Sequence, residues 1–138
     1  MSENKQTRGE LVKALRSLNA IPVENRVRSG TPDVNYAGGW IECKRLGRWP
    51  KGADTNPVKF PHPLLQTQKI WIAKRCAIGG TVFICAQVGG EWFFFRCPEG
   101  LSLFERMTRP EMHEKAEFYM KTMQKERLVE WLRSASKG

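Results

Sequence analysis

No stretch of this sequence is apolar for long enough to cross a membrane, and its opening residues, MSENKQTRGE, are polar and mixed in charge. The first absence excludes a helical membrane span, and the second is unlike the apolar core of a secretory signal. A soluble, cytoplasmic protein with no membrane partner is the expectation. Cysteine is scarce, and the four present, at 43, 76, 85 and 97, include no CxxC pair. That spacing argues against a zinc knuckle, and without a secretory signal the thiols are expected to be reduced. Internal repeats and low-complexity segments are also missing. Acidic residues are in short supply: 14 Asp and Glu against 23 Lys and Arg leave a net charge of +9 and a pI near 9.7. Such an excess suits a polyanionic partner, whether DNA, RNA or an anionic membrane face, and charge alone does not choose among them.

What is present is an ordinary globular composition, 41% apolar over 138 residues, enough for one domain with one real core. Residues 7–18, TRGELVKALRSL, place Leu11, Leu15 and Leu18 at helical spacing, and Thr7 with Glu10 fits a capping box. IPVENRVRS reads as a first strand, followed by TPDVNY and WIECKRL joined around AGG. Residues 47–62, GRWPKGADTNPVKFPH, are rich in proline, glycine and basic residues and read as a long loop with a task. PLLQTQKIWIAKRCA predicts a second helix with Leu64, Leu65, Gln68, Ile72 and Cys76 on one side, ended by Gly79-Gly80. TVFICAQV and EWFFFRC predict a hairpin through Gly89-Gly90. SLFERMT reads as a short helix, and residues 110–134 as one longer helix using Phe118, Met123, Leu128 and Trp131 for packing. The fold class is therefore α/β with a mixed central sheet.

The chemistry concentrates in SGTPDVNYAGGWIECKR, residues 29–45. Alternation in a strand puts Glu42 and Lys44 on one face and Ile41 and Cys43 on the other, apolar one. A two-residue turn at Ala37-Gly38 sets Asp33 opposite Glu42, and a turn at Gly38-Gly39 sets it opposite Lys44. Either register brings two carboxylates and an amine to one patch, whereas a three-residue loop without a bulge would break the arrangement. Two close carboxylates repel, and a divalent cation removes the conflict. Magnesium takes few carboxylates, keeps waters and can hold a phosphate oxygen. An exposed cross-strand charge pair is the plain alternative.

Pro32-Asp33 followed by Glu42-Cys43-Lys44 resembles the PD-(D/E)XK nuclease superfamily. The wording RSGTPDV, then WIECKR, then a glutamine is similar to its VRR-NUC branch and, more loosely, to archaeal-type Holliday junction resolvases. The likeness covers residues 7 to about 88. It implies a restriction-endonuclease-like αβββαβ core with an extra C-terminal helix, in a single nuclease domain of residues 1–138, with the core at about 7–97 and a helical extension at about 98–138. It further implies Asp33 and Glu42 as metal-binding carboxylates, the backbone carbonyl of Cys43 as a further ligand, and Lys44 as the catalytic lysine. Glu10 takes the place of the first-helix acid, with Glu24 as its substitute, and Gln68 that of the second-helix glutamine, with Gln66 as its rival.

The implied activity is a Mg2+-dependent DNA endonuclease, with Mn2+ able to substitute, selective for branched DNA such as a Holliday junction, flap or fork. Symmetric cutting of a four-way junction implies a homodimer. A restriction-type or nicking enzyme, an RNA-processing nuclease and a non-catalytic nucleic-acid-binding protein are the alternatives. By analogy, such a small nuclease is at home in a phage or a mobile element. Arg26, Arg28, Arg45, Arg48, Lys51 and Lys59 are the candidate phosphate contacts, with Trp49 and Phe60 available to stack on bases. His62 reads as an ordinary loop histidine, and Trp92-Phe93-Phe94-Phe95 as core packing.

Overall fold

The computed structural model describes residues 3–24 and 30–136. Among these, the chain forms five α-helices and a six-stranded mixed sheet whose strands lie in sequence order. Helix α1 (Glu3–Ala14) leads into a short 3-10 turn and strand β1 (Ile21–Pro22). Strands β2 (Val34–Tyr36) and β3 (Gly39–Leu46) form a hairpin, and helix α2 (Gln66–Ala77) carries the chain across to β4 (Val82–Val88). β3 and β4 are parallel, and all other neighbouring strands are antiparallel. The αβββαβ order expected from the sequence is thus the order of the elements from Glu3 to Val88. Strand β5 (Glu91–Arg96), helices α3 (Glu99–Leu103) and α4 (Arg109–Lys115), strand β6 (Phe118–Met120) and helix α5 (Lys125–Ala135) complete it. No helix among the described residues is long and apolar enough to cross a membrane.

Every residue of β4 is buried, as a strand covered on both faces must be. One face of the sheet packs Ile41, Cys43, Phe83, Cys85 and Phe94 against Leu11 of α1, Leu15 just past its end, and Leu128 and Leu132 of α5. The other packs Ile84, Ala86, Phe93 and Phe95 with Ile72 of α2, Met112 of α4 and the long loop's Val58 and Phe60. Each such side chain, fully buried, contributes about 1.5–3 kcal/mol. The four aromatics of β5 alternate between the two cores, all at 2% exposure or less, so core packing is their role. All four cysteines are free thiols.

The loop after β3 is tied down along its length. Trp49 donates its indole N–H to Glu91, the Ala53 carbonyl accepts from the Arg109 N–H, and the Val58 N–H donates to the Met107 carbonyl. Glu105 clasps the loop twice: its carboxylate accepts the Phe60 N–H at 2.9 Å, and its carbonyl accepts from Lys59 Nζ at 2.9 Å. Glu105 holds a left-handed backbone (φ 67°), an uncommon choice for a residue with a side chain.

Three expectations need correction. Residues 110–134 are not one helix. The chain turns extended at Ala116, and Phe118, Tyr119 and Met120 pair with Phe94, Phe93 and Trp92 on the edge of β5. An open sheet edge beside a Phe-Tyr-Met run outweighs the helical pattern. The first strand shrinks to Ile21–Pro22, and residues 25–29 of the expected strand lie outside the described residues. Helix α1 starts about a turn early, so Thr7 is mid-helix. Its buried hydroxyl donates to Gln87 Oε1 at 2.7 Å instead of capping the helix.

Candidate active site

The β2–β3 hairpin turns at Ala37-Gly38, with Tyr36 opposite Gly39 and Val34 opposite Ile41. One step further, the same register sets Asp33 opposite Glu42, the first of the two pairings open from sequence. Alternation then sends Ile41 and Cys43 into the core beneath α1, and Glu42 and Lys44 to the side facing α2. Asp33, Glu42, Lys44, His62 and Gln68 all line one cleft of about 440 Å3. Glu42 and Lys44 sit at its floor, 1% and 2% exposed, and Asp33 is half-buried.

The contacts within the cleft are directional. Lys44 Nζ lies 3.5 Å from Glu42 Oε2 and donates to the Pro63 carbonyl at 3.3 Å. Gln68 uses both ends of its amide: Nε2 donates to Glu42 Oε2 at 2.8 Å, and Oε1 accepts the Leu65 N–H at 2.8 Å, satisfying an end group of α2. Asp33 Oδ2 accepts the Cys43 N–H at 2.9 Å. The second oxygen of Glu42, Oε1, is buried and receives no hydrogen bond from an N–H or hydroxyl donor, while the Asp33 and Glu42 carboxyls lie close enough to share a proton. Leaving such an atom without a donor costs about 1–3 kcal/mol or more, a cost rarely carried without a role.

Burial, and next the neighbouring charge of Asp33, push the Glu42 carboxyl up to about 8, while the Lys44 ammonium pulls the other way. Burial also raises the Asp33 carboxyl above its usual range, against the Cys43 N–H and Lys44. A carboxyl pair that resists ionising, with one oxygen that no N–H donor reaches, fits a divalent cation, which would supply the missing partner and the missing positive charge. Among the described residues no group of three or more His, Cys, Asp and Glu side chains is placed to hold a metal ion. A cation here would therefore rest on Asp33, Glu42, backbone oxygen and water, an oxygen-only set of the kind Mg2+ takes.

The other candidates scatter. Glu10 is on the far face of the sheet, where its carboxylate meets Arg45 at 3.8 Å and accepts from Gln87 Nε2 at 3.4 Å. It does not line the cleft; Glu24, its substitute in the sequence reading, does. Glu24 pairs there with Arg8 at 3.4 Å and Lys5 at 3.7 Å. Arg45 is held on Glu10's side by Gln87, and Lys59 by Glu105. Arg48 and Lys51 are exposed on the loop, away from the cleft lining. Arg26 and Arg28 lie outside the described residues. Neither Trp49 nor Phe60 is offered to a base: the first is pinned by Glu91 against Phe93, and the second is buried against Phe104. Gln66 does not line the cleft, so Gln68 is the glutamine that reaches it.

Sequence reasoning passes over Arg8 and takes His62 for an ordinary loop histidine, yet both line the cleft. Arg8 falls on the same side of α1 as Asn4 and Lys5, a stripe visible only once the helix is known to start before Thr7. His62 arrives through the path of the loop, which no periodicity encodes. Compared with known proteins, the chain matches no family model and no curated relative.

Proposed function

We propose that the chain is a Mg2+-dependent endonuclease that hydrolyses DNA phosphodiester bonds, on the plan of the PD-(D/E)XK nucleases and their VRR-NUC branch. The observation that carries this reading is the buried Asp33–Glu42 carboxyl pair beside Lys44, with a Glu42 Oε1 that no N–H donor reaches. Asp33, Glu42 and the Cys43 carbonyl would hold the cation. Bound there, Mg2+ would offset charge building on the phosphate and make a water more acidic.

The chain's own groups do the rest. Gln68 and Lys44 both engage Oε2 of Glu42, which leaves Oε1 as the free oxygen. The two contacts of Lys44 occupy two of its three N–H donors, so one remains for the phosphate or the attacking water. Arg8, held by an exchangeable contact with Glu24 at the cleft wall, supplies charge for a neighbouring phosphate. The water oxygen bonds to phosphorus as the bond from phosphorus to the leaving sugar oxygen breaks. Water gives up one proton and the leaving oxygen gains one. The substrates proposed are branched DNAs, and symmetric cutting of a four-way junction would take two copies of the chain.

The test is cleavage of end-labelled four-way junction, flap, fork, linear duplex and single strand with Mg2+, Mn2+ or EDTA. Cutting is expected with either metal and not in EDTA. Asp33→Ala and Lys44→Ala should each lower the rate by about a hundredfold or more. Undiminished cutting in EDTA, or by either variant, rejects the mechanism. Binding with no cutting under any condition leaves the non-catalytic nucleic-acid binder.

A further inference from the structure

Helix α2 is apolar on two sides. Toward the sheet it buries Ile72 and half-buries Cys76, as an amphipathic helix should. Outward, Thr67, Ile70, Trp71, Lys74 and Ile78 recur at i, i+3, i+4, i+7 and i+11, a second stripe where charged residues are the usual occupants. With Arg75 they line an open groove of about 720 Å3. Ile70 is 46% and Ile78 83% exposed. Trp71 is held rigidly: the Trp40 ring meets it edge-on at 5.1 Å, and the Arg75 guanidinium lies 4.6 Å from its centroid. Single exposed apolar residues need no explanation, but a braced tryptophan among isoleucines in one groove marks a binding surface.

Charge and position say what binds. From residue 55 to residue 90 the sequence contains no Asp or Glu, so Lys74 and Arg75 stand in a groove without acidic side chains of its own stretch. Thr67 lines the groove and its chain neighbour Gln68 lines the cleft, so the two meet at the first turn of α2. From Thr67 the stripe runs roughly 16 Å along the helix at about 1.5 Å per residue, the reach of a few nucleotides. Duplex DNA keeps its base faces stacked away from such a surface. A second copy docking α2 on α2 about a two-fold axis would bring Lys74 and Arg75 of both copies into one interface with no acidic side chain of α2 to offset them.

We propose that this groove binds an unpaired strand of nucleic acid leading from the cleft, with bases on Trp71, Ile70 and Ile78 and phosphates on Lys74 and Arg75. The inference rests on the nuclease reading and narrows it to substrates with a single-stranded arm, flaps and forks ahead of fully paired junctions.

Binding is measured in EDTA, where the proposed cleavage is off, by fluorescence anisotropy of labelled oligo-dT and of a blunt duplex of equal charge. Ile78→Glu is the main variant, because a residue 83% exposed can be replaced without loss of folding. Trp71→Ala is the second, with circular dichroism to confirm its fold. Each should weaken oligo-dT binding about tenfold or more and leave duplex binding within about twofold. Equal weakening of both ligands, or of neither, overturns the proposal. So does a homodimer that Ile78→Glu dissociates while oligo-dT binding stays unchanged. Because no cutting is read, failure of the nuclease reading shows separately, as selective strand binding with no metal-dependent cleavage.

Discussion

At Glu42 a proton and the proposed cation would compete for one buried carboxylate. In the metal-free protein its carboxyl sits at about 8 in the folded state against an ordinary 4.5. The folded chain therefore keeps a proton that the unfolded chain releases, and stability falls as pH rises between those two values. Glu42's contribution is complete below 4.5 and gone above about 8, and Asp33, shifted in the same direction, adds a decline of its own that begins from 3.8. Thermal melts in EDTA should show Tm declining across that window, and Glu42→Gln, which cannot ionise, should flatten the decline. Mg2+ should bind more tightly as pH rises through the same window, releasing protons on binding. Calorimetry in two buffers of different ionisation enthalpy reads that release. A melt slope identical in wild type and Glu42→Gln would remove Glu42 as the titrating group.

At the scale of elements, the site depends on how closely the hairpin's lead-in approaches α2. Gly30 has φ +93°, and a Cβ there would lie 2.3 Å from the Thr67 carbonyl oxygen. Gly30→Ala should cost about 1–3 kcal/mol of stability and drive apart Asp33 and Gln68, lowering kcat by about ten- to a hundredfold. Gly9, inside α1, has open space where a methyl group would stand, with nothing within 4 Å, so Gly9→Ala should instead raise stability by about 0.5–1 kcal/mol with kcat unchanged. The pair of melts and rates distinguishes the two glycines. The hairpin itself is legible in the sequence, because period-two alternation and a short Gly turn leave two registers, both of which gather Asp33, Glu42 and Lys44. Glu10 is misplaced by sequence reasoning because a capping-box pattern and a helix-period position look alike until the helix start is known. Strand β6 stays hidden because three residues answer to the edge of β5, a partner far away in sequence, and not to their own spacing.

Across the whole molecule, the described segment after β5 brings no side chain to the cleft, yet it braces the loop that does. Phe60 is fixed by Glu105 and packs on Phe104 with tilted rings, centroids 4.8 Å apart; two residues on, His62 lines the cleft, and Pro63 gives its carbonyl to Lys44. Glu105→Ala should therefore lower kcat severalfold or more at little cost in overall secondary structure, and should quicken limited proteolysis between residues 47 and 62. Loss of about 1–2 kcal/mol of stability is expected from the freed Phe60 N–H. Unchanged kcat and unchanged proteolysis would show that the loop holds itself. This long-range dependence is what the proline-rich composition of the loop cannot reveal, since composition predicts irregularity and says nothing of what the loop leans on.

The same brace has a bearing on how the protein is made. Every described side chain of the cleft belongs to the first 68 residues, while Glu105, which secures the loop beneath Lys44, is translated well afterwards. A growing chain therefore carries Asp33, Glu42, Lys44 and Gln68 well before the residue that braces the loop at Phe60, so the cleft gains its full support only after Glu105 has been made.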